Sequence, residues 1–148
     1  MELTVFIIRA LVASGLGFLI GFERQYSNKS AGIRTNALVA LGSALYVLIS
    51  INLSDSGGVD ATRVVGQIVT GIGFLGAGVI IHQGVSVQGL TTAATIWCSS
   101  AIGCLSATGK YTEAAISAVL VVVINFFLLK VDMWVSRIHH KKEEENHN

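Results

Sequence analysis

Five apolar segments, each about as long as a bilayer is thick, constrain the fold of this chain more than any other feature. A membrane-spanning helix needs about 20 mostly apolar residues. The segments lie at residues 3–22, 35–51, 64–81, 90–107 and 114–135. Short polar connections separate them, and proline is absent. The pattern predicts an all-α membrane protein, a compact bundle of about five transmembrane helices over residues 1–138, followed by a disordered charged tail at residues 139–148.

Composition agrees with a membrane protein. Charged residues make up 13% of the chain, about half the share usual in soluble domains. The sixteen glycines exceed the average usage of this residue, and glycine is more frequent in transmembrane helices than in soluble ones. The formal net charge of +1 argues against nucleic acid as a partner.

Lysine and arginine are distributed unevenly between the two ends of the predicted helices. One end carries seven of them: Arg24, Lys29, Arg34, Lys130, Arg137, Lys141 and Lys142. The opposite end carries Arg63 and Lys110. Because positively charged connections stay in the cytoplasm, this bias predicts that the N-terminus lies outside and the C-terminus in the cytoplasm.

The stretch GIGFLGAG at residues 71–78 matches the G-x-G-x-x-G fingerprint of dinucleotide-binding loops. That loop needs a strand before it, a helix after it and an acidic residue about 20 positions further on. No Asp or Glu lies between Asp60 and Glu113, and no alternation of strands and helices follows. The sequence therefore argues against a nucleotide site and places the stretch inside the third helix.

On a helix, the small residues of the third segment lie on faces that are separate from its bulky face. Gly71, Gly73, Gly76 and Gly78 carry this pattern, and small residues let membrane helices approach closely. We therefore expect the third helix to be the central packing element, and we expect Gly73→Leu to disrupt the bundle. Similar rows of small residues occur in three other helices: Ala13, Gly17 and Gly21; Asn36, Ala40 and Ala44; and Thr95, Ser99, Gly103 and Ala107.

Arg9 lies about two turns into the first helix. Its long side chain either extends to the outer interface, as basic side chains near helix ends do, or pairs with an acidic residue. The candidates on the same predicted side are Asp55, Asp60 and Glu113.

Three charged residues, Glu23, Arg24 and Arg34, bracket the first connection at the predicted cytoplasmic boundary. They either anchor the helix ends or form an ordered cluster that binds an ion, a lipid phosphate or a partner. Arginine can bind a phosphate through two parallel hydrogen bonds, which makes a contact with membrane lipid reasonable.

The fourth segment is rich in hydroxyl groups: Thr91, Thr92, Thr95, Ser99, Ser100 and Ser106. Such hydroxyls either bond to backbone carbonyls and neighbouring helices or line a polar pathway for an ion or small solute. Trp97 lies mid-helix, so we expect it to pack inside the bundle.

Catalysis and metal binding have little support in the sequence. His82 is isolated in a connection, and the other histidines lie in the charged tail, whereas metal sites need several convergent ligands. Neither a nucleophile–base arrangement nor a pair of intramembrane carboxylates is visible. We expect no enzyme activity, no cofactor and no metal site.

Four blocks in order resemble the MgtC/SapB family of bacterial inner-membrane proteins. They are GFLIGFERQ (17–25), AGIRTNALVALGSAL (31–45), VGQIVTGIGFLGAGVI (65–80) and GLTTAATIWCSSAIG (89–103). A fifth, GKYTEA (109–114), resembles the turn before the family's last helix. The resemblance covers nearly the whole predicted bundle.

The resemblance implies a multi-pass protein of the inner membrane that is linked to magnesium limitation and, in some members, to virulence. It implies a membrane-protein partner such as the F-type ATP synthase. Carried over by motif, the candidate functional residues are Glu23, Arg24, Gly32, Arg34, Gly71, Gly73, Gly76, Gly78, Gly89, Thr92, Trp97 and Cys98. Thr91 departs from the best-known virulence members, which have asparagine there. Many members add a soluble C-terminal domain, and we expect this chain to hold the membrane domain only.

Three functions remain open at this stage. The first is a non-catalytic adaptor or regulator that acts through a membrane partner or through lipid, and the expected partners are membrane lipids, a membrane protein and a second copy of the chain as a homo-oligomer. The second is a small oligomeric transporter or channel, for which magnesium transport is the family's suggestion. Against Mg²⁺ conduction, no intramembrane carboxylate is present to hold an ion that loses its water reluctantly. The third is a purely structural subunit of a larger complex.

Overall fold

The computed structural model describes the backbone of residues 1–54 and 61–146, and side chains within 1–53 and 62–128. In this part of the chain it contains five α-helices and one short β-hairpin. The elements are α1 (Leu3–Tyr26), α2 (Ile33–Ser54), α3 (Ala61–Gly78), β1 (Ile81–Gln83), β2 (Ser86–Gln88), α4 (Leu90–Ala107) and α5 (Tyr111–Asn146). The predicted five-helix bundle is confirmed.

The helix bounds differ from the predicted segments mainly at the ends. The bounds of α4 are those predicted, α1 and α2 are a few residues longer, and α3 begins and ends three residues earlier. The helix α5 continues to Asn146, through most of the segment predicted to be a disordered tail. Lysine and glutamate are good helix formers, so the charged run 141–145 extends a helix that has already begun.

Successive helices run in opposite directions. The N-terminal amino group lies 3.5 Å from Asn52 Oδ1, so α1 begins at the end of the bundle where α2 finishes. At the other end, Gly21 lies against Ile33 at the start of α2. The last turn of α1 also contacts the first turn of α4 through Arg24 and Thr92. We call the end of the bundle at which α1 begins the N-terminal end, and the end at which α1 finishes the opposite end.

Four helices, α1, α2, α4 and α5, are long and apolar enough to cross a membrane. The helix α3, whose side chains are described for residues 62–78, is not among them. Its 18 residues nevertheless extend roughly 27 Å at 1.5 Å per residue. The outside position of the N-terminus stays a prediction from the charge bias.

The core lies where α1, α2 and α4 pack most closely. One cluster consists of Ala13, Ala44, Val47, Leu48 and Ala107, and a second of Ile20, Ile102, Ala114 and Ala118. Five of these nine residues are alanine. Small side chains let the helix backbones approach, which replaces the hydrophobic drive that is absent between helices in lipid.

Small residues form the contacts of this core, as the rows in α1 and α4 predict. A Cβ atom at Gly17 or Gly21 would collide with backbone atoms of α2. A Cβ at Gly103 would collide with the carbonyl group of Ala40. At these positions the contact between helices requires the absence of a side chain.

The prediction that α3 is the central packing helix is wrong. Around the position of a Cβ at Gly71, Gly73 or Gly78, the described structure has no neighbouring atom within 4 Å. Gly76 has one neighbour, the Cβ of Ala93 at 3.6 Å. The helix lies at the edge of the bundle. The prediction failed because helical periodicity shows which residues share a face of a helix but not which neighbour that face meets.

A β-hairpin joins α3 to α4, where the sequence predicts only a connection. Its antiparallel register pairs Ile81 with Gln88 and Gln83 with Ser86. Gly84 supplies the positive φ of +63° that a tight hairpin turn requires. Its two strands of three residues are too short to give a clear alternating pattern in the sequence.

Candidate functional site

A polar cavity of about 710 Å³ lies at the opposite end of the bundle. Its walls come from the end of α1, the α1–α2 connection, the hairpin, the start of α4 and one turn of α5. The polar lining residues are Glu23, Arg24, Ser27, Asn28, Lys29, Ser30, Gln88, Thr91, Thr92 and Asn125, and the apolar ones include Val79, Leu90, Ile124 and Leu128. The cavity brings together residues that are distant in the sequence.

Arg24 is held in the wall of this cavity by α4. Its side chain is 3% exposed, and its Nη2 donates a hydrogen bond of 3.0 Å to Thr92 Oγ1. The hydroxyl groups of Ser30 and Thr92 lie 3.1 Å apart and share a second bond. Thr92 therefore connects the end of α1, the following connection and the start of α4.

Glu23 lies next to Arg24 and is 8% exposed. Its Oε1 accepts a hydrogen bond of 2.8 Å from the hydroxyl group of Ser27, one turn later. Its Oε2 and the Nε of Arg24 are buried and have no hydrogen-bond partner. Leaving a buried polar atom of a charged group without a partner is costly, so this wall is suited to a ligand that supplies both partners.

Within the described side chains, no ion pair joins Glu23 to Arg24. The ion pair that does occur, Lys110–Glu113 at 3.7 Å, is exposed and lies at the N-terminal end. Lys29 adds a second positive charge at the exposed rim of the cavity. The cavity thus holds two positive charges and one negative charge.

Gly89 shapes the wall between α3 and α4. It precedes α4 as its N-cap with a φ of +92°, a conformation that side chains disfavour. A Cβ at this position would also collide with the carbonyl oxygen of Val79. Both constraints require glycine here, so the predicted importance of Gly89 has a structural reason.

Asn36 forms the centre of a buried network that joins the start of α2 to α4. Its Nδ2 donates to the carbonyl oxygens of Ala31 and Gly32, and its Oδ1 accepts a bond of 2.8 Å from Ser99 Oγ. This places the predicted candidate Gly32 in the turn that precedes α2. In the sequence Asn36 stands out only as one of a row of small residues, although an amide directly before a long apolar run is itself a signal.

The hydroxyl groups of α4 form hydrogen bonds inside the bundle. Thr95 and Ser106 donate to carbonyl oxygens four residues earlier, at 2.8 and 2.9 Å. Ser100 lies 2.7 Å from the hydroxyl group of Ser43 on α2. These bonds favour the packing interpretation of the hydroxyl-rich segment over a polar pathway.

Asn125 is a cavity residue that the sequence analysis missed. Its Nδ2 donates a bond of 3.3 Å to Thr95 Oγ1, which connects α5 to α4. The signal was available, because Asn125 is an isolated amide in the apolar run VVVINFFLL, and polar residues inside membrane helices usually face the bundle interior.

Arg9 lies at the N-terminal end, away from the cavity. Its Nη2 would be 3.4 Å from a Cβ at Gly109, and its Nε is buried without a hydrogen-bond partner. No ion pair with Glu113 is present among the described side chains. The other two predicted partners, Asp55 and Asp60, lie outside the described residues.

The remaining candidate residues, Arg34, Trp97 and Cys98, do not line the cavity. Arg34 is exposed on the first turn of α2. Trp97 is 50% exposed in a groove between α3 and α4, so the prediction that it packs inside the bundle is wrong. Cys98 is half-buried. The reason for the exposed Trp97 is the loose packing of α3, which leaves that side of α4 open.

The described residues contain no group of three or more His, Cys, Asp or Glu side chains that could hold a metal ion. The cavity offers hydrogen bonding and charge pairing by the buried guanidinium of Arg24 and the buried carboxylate of Glu23.

A model of the MgtC family matches residues 10–134. The chain is 51% identical over 113 residues to Protein MgtC of Brucella abortus, which covers 76% of this chain and 47% of that protein. It is 44% identical over 141 residues to Protein MgtC of Salmonella typhi, covering 95% and 59%. An uncharacterized protein of Synechocystis is 42% identical over 148 residues, covering 99% and 62%. The chain thus spans about half to three-fifths of these relatives, and no solved structure matches it.

Proposed function

The chain belongs to the MgtC family, and from that premise we propose that it is a non-catalytic adaptor of the bacterial inner membrane. In this proposal the chain binds a partner membrane protein and regulates it when magnesium is limiting. The proposed partner is the F-type ATP synthase, which the family resemblance suggests. Assembly with a second copy of the chain is the competing outcome.

The observation that carries this proposal is an unoccupied glycine face of α3. Gly66 and Gly73 are seven residues apart, which places them on one face of the helix, and a Cβ at either position has no neighbour within 4 Å in the described structure. The other rows of small residues are packed against helices. In a bilayer, a face of bare backbone favours close approach of another helix. The α3 face is therefore a suitable docking surface for a transmembrane helix of the partner.

Two apolar grooves beside α3 support this occupant. One, of about 500 Å³, lies between α2 and α3 and includes Gly71 and Leu75 in its lining. The other, of about 520 Å³, lies between α3 and α4 and includes Trp97. The apolar linings of these two grooves fit the side chains of a membrane helix better than they fit a polar solute.

The state of the α4 hydroxyl groups favours an adaptor over a transporter. Ser99, Ser100 and Ser106 are buried and form hydrogen bonds within the bundle. Hydroxyl groups that are already bonded in this way are poor replacements for the water around an ion. A polar pathway along α4 would require these bonds to break.

The proposal is tested by site-specific photocrosslinking in native membranes. A photoreactive phenylalanine analogue replaces Phe74, which is 81% exposed on α3, and a matched variant carries it at Phe127, which is exposed on α5. We expect the probe at Phe74 to capture a subunit of the F-type ATP synthase and the probe at Phe127 not to capture it. Adding Gly73→Leu to the Phe74 variant is expected to abolish capture, because the isobutyl group fills the face.

Three outcomes would contradict the adaptor proposal. Capture that is equal from α3 and α5 indicates non-specific proximity. Capture of a second copy alone indicates a homo-oligomer. Ion flux by the purified protein in liposomes, without any partner, supports the transporter alternative.

A further inference from the structure

We propose that the polar cavity binds the headgroup of an aminophospholipid. In this assignment the phosphate binds Arg24, near Lys29, and the primary ammonium binds Glu23. The inference goes beyond the proposed function and uses none of the α3 residues on which that function depends.

The depth of the cavity matches the headgroup region of a bilayer. The helix α1 has 24 residues, or roughly 36 Å at 1.5 Å per residue, whereas the hydrocarbon core is about 30 Å thick. Glu23 and Arg24 lie in the last turn of this helix. Their charged groups therefore lie near the level of lipid phosphates and amines.

Arg24 supplies the phosphate half of the site. A guanidinium group has five N–H donors in one plane, and the described contacts of Arg24 use Nη2 for Thr92. The Nε of Arg24 is buried in a residue that is 3% exposed and has no partner. An arginine edge accommodates two phosphate oxygens, and Lys29 at the rim contributes a second positive charge.

Glu23 supplies the ammonium half. Ser27 occupies Oε1, while Oε2 is buried and has no partner. A primary ammonium offers N–H donors to this oxygen, but a quaternary ammonium such as that of choline has none. Glu23 therefore distinguishes headgroups that carry the same phosphate.

The charges of Arg24 and Glu23 together select a ligand that carries both a negative and a positive group. A phosphate alone would leave the buried carboxylate of Glu23 unpaired and close to negative charge, and a simple cation would lie beside Arg24. A phosphate ester that also carries a primary ammonium pairs with both groups. Soluble phosphoethanolamine shares this chemistry with the lipid headgroup.

The apolar part of the lining favours the lipid over the soluble compound. Ile124 and Leu128 line the cavity and are also exposed on the outer face of α5. The polar headgroup fits inside a volume of about 710 Å³, while the acyl chains continue along α5 into the bilayer.

The test is a titration of the purified full chain in detergent, followed by native mass spectrometry. The probes are a short-chain phosphatidylethanolamine, the phosphatidylcholine of equal chain length and soluble phosphoethanolamine. We expect one phosphatidylethanolamine per chain, bound roughly tenfold more tightly than phosphatidylcholine, as one hydrogen bond to a charged group implies. Soluble phosphoethanolamine is expected to compete weakly.

Variants separate the two halves of the site. Glu23→Gln is expected to remove most of the preference for phosphatidylethanolamine, whereas the control Glu113→Gln, an exposed carboxylate at the other end of the bundle, leaves it unchanged. Lys29→Ala is expected to weaken both lipids equally, by roughly threefold for an exposed charge. Lys29 is exposed, so this variant tests the phosphate half without removing a buried contact.

The proposal is overturned if the two lipids bind equally to the unmodified chain, or if a folded Glu23→Gln variant keeps the full preference. Competition by soluble phosphoethanolamine at the affinity of the lipid would overturn the assignment of a lipid. Monodisperse elution and unchanged helical circular dichroism establish that each variant is folded.

Discussion

Gly17 and Gly21 of α1 and Gly103 of α4 have surroundings opposite to those of Gly71 and Gly73 of α3 in the same bundle. A Cβ at Gly17, Gly21 or Gly103 would meet backbone atoms of α2. A Cβ at Gly71 or Gly73 would meet nothing within 4 Å in the described structure. The comparison teaches that a row of small residues marks a face prepared for close packing but does not identify the partner of that face.

The difference arises from the position of each helix. The helices α1, α2 and α4 pack most closely with one another, while α3 packs more loosely, mainly against α2 and α4. The inner glycines therefore contribute to the stability of the bundle itself. The outer glycines remain available for binding, so substitutions should separate the two roles.

The largest effect is expected for Gly103→Leu, which places a side chain against the Ala40 carbonyl group. Overpacking in a closed core commonly costs 1–3 kcal/mol and sometimes more, and here the obstacle is backbone that has no room to move. We expect loss of monodisperse protein on size-exclusion chromatography in detergent. The matched variant Gly15→Leu, at a glycine with no neighbour within 4 Å, should remain folded, and equal behaviour of the two would refute the comparison.

Gly89→Ala should have the next largest effect. It combines a left-handed conformation, which costs roughly 1–2 kcal/mol for a residue with a side chain, with the collision against the Val79 carbonyl. We expect a clear fall in the thermal unfolding midpoint in detergent. The control Gly84→Ala has a φ of +63° but open space around it, so it measures the conformational cost alone.

Asn36→Ala is expected to destabilise the bundle by about 2–3 kcal/mol, because three hydrogen bonds of about 1 kcal/mol each are lost. The amide of Asn36 bonds two backbone carbonyls and Ser99. Chemical denaturation in detergent measures the change. The control Asn125→Ala removes the single described bond to Thr95 and should cost less, and a reversed order would contradict the assigned network.

The smallest effect on folding is expected for Gly73→Leu, the substitution that the sequence alone predicts to be disruptive. The open space beside Gly73 and the better helix propensity of leucine imply a stability within about 1 kcal/mol of the unmodified chain. Thermal unfolding measures this. Loss of the fold would restore α3 to the centre of the bundle, whereas a folded variant that no longer binds a partner fits the proposed function.

Part of the cavity was accessible from the sequence. The position of Glu23 and Arg24 at a helix end indicates a functional role for them, and the family motif indicates one for Thr92. The contact between Arg24 and Thr92 was not accessible from the sequence, because these residues are 68 positions apart in the chain. Asn125 was missed because its role depends on how α5 lies against α4.

The sequence by itself determined the membrane-protein class, the number of helices and the approximate extent of α4, because apolar length and hydrophobic character are local properties of the chain. It also identified which residues are small enough for close packing. Only the tertiary structure decided which glycines face a neighbour, which hydroxyl groups are already bonded and where the buried charges lack partners. Those properties depend on distances between different helices, which periodicity along one helix does not encode.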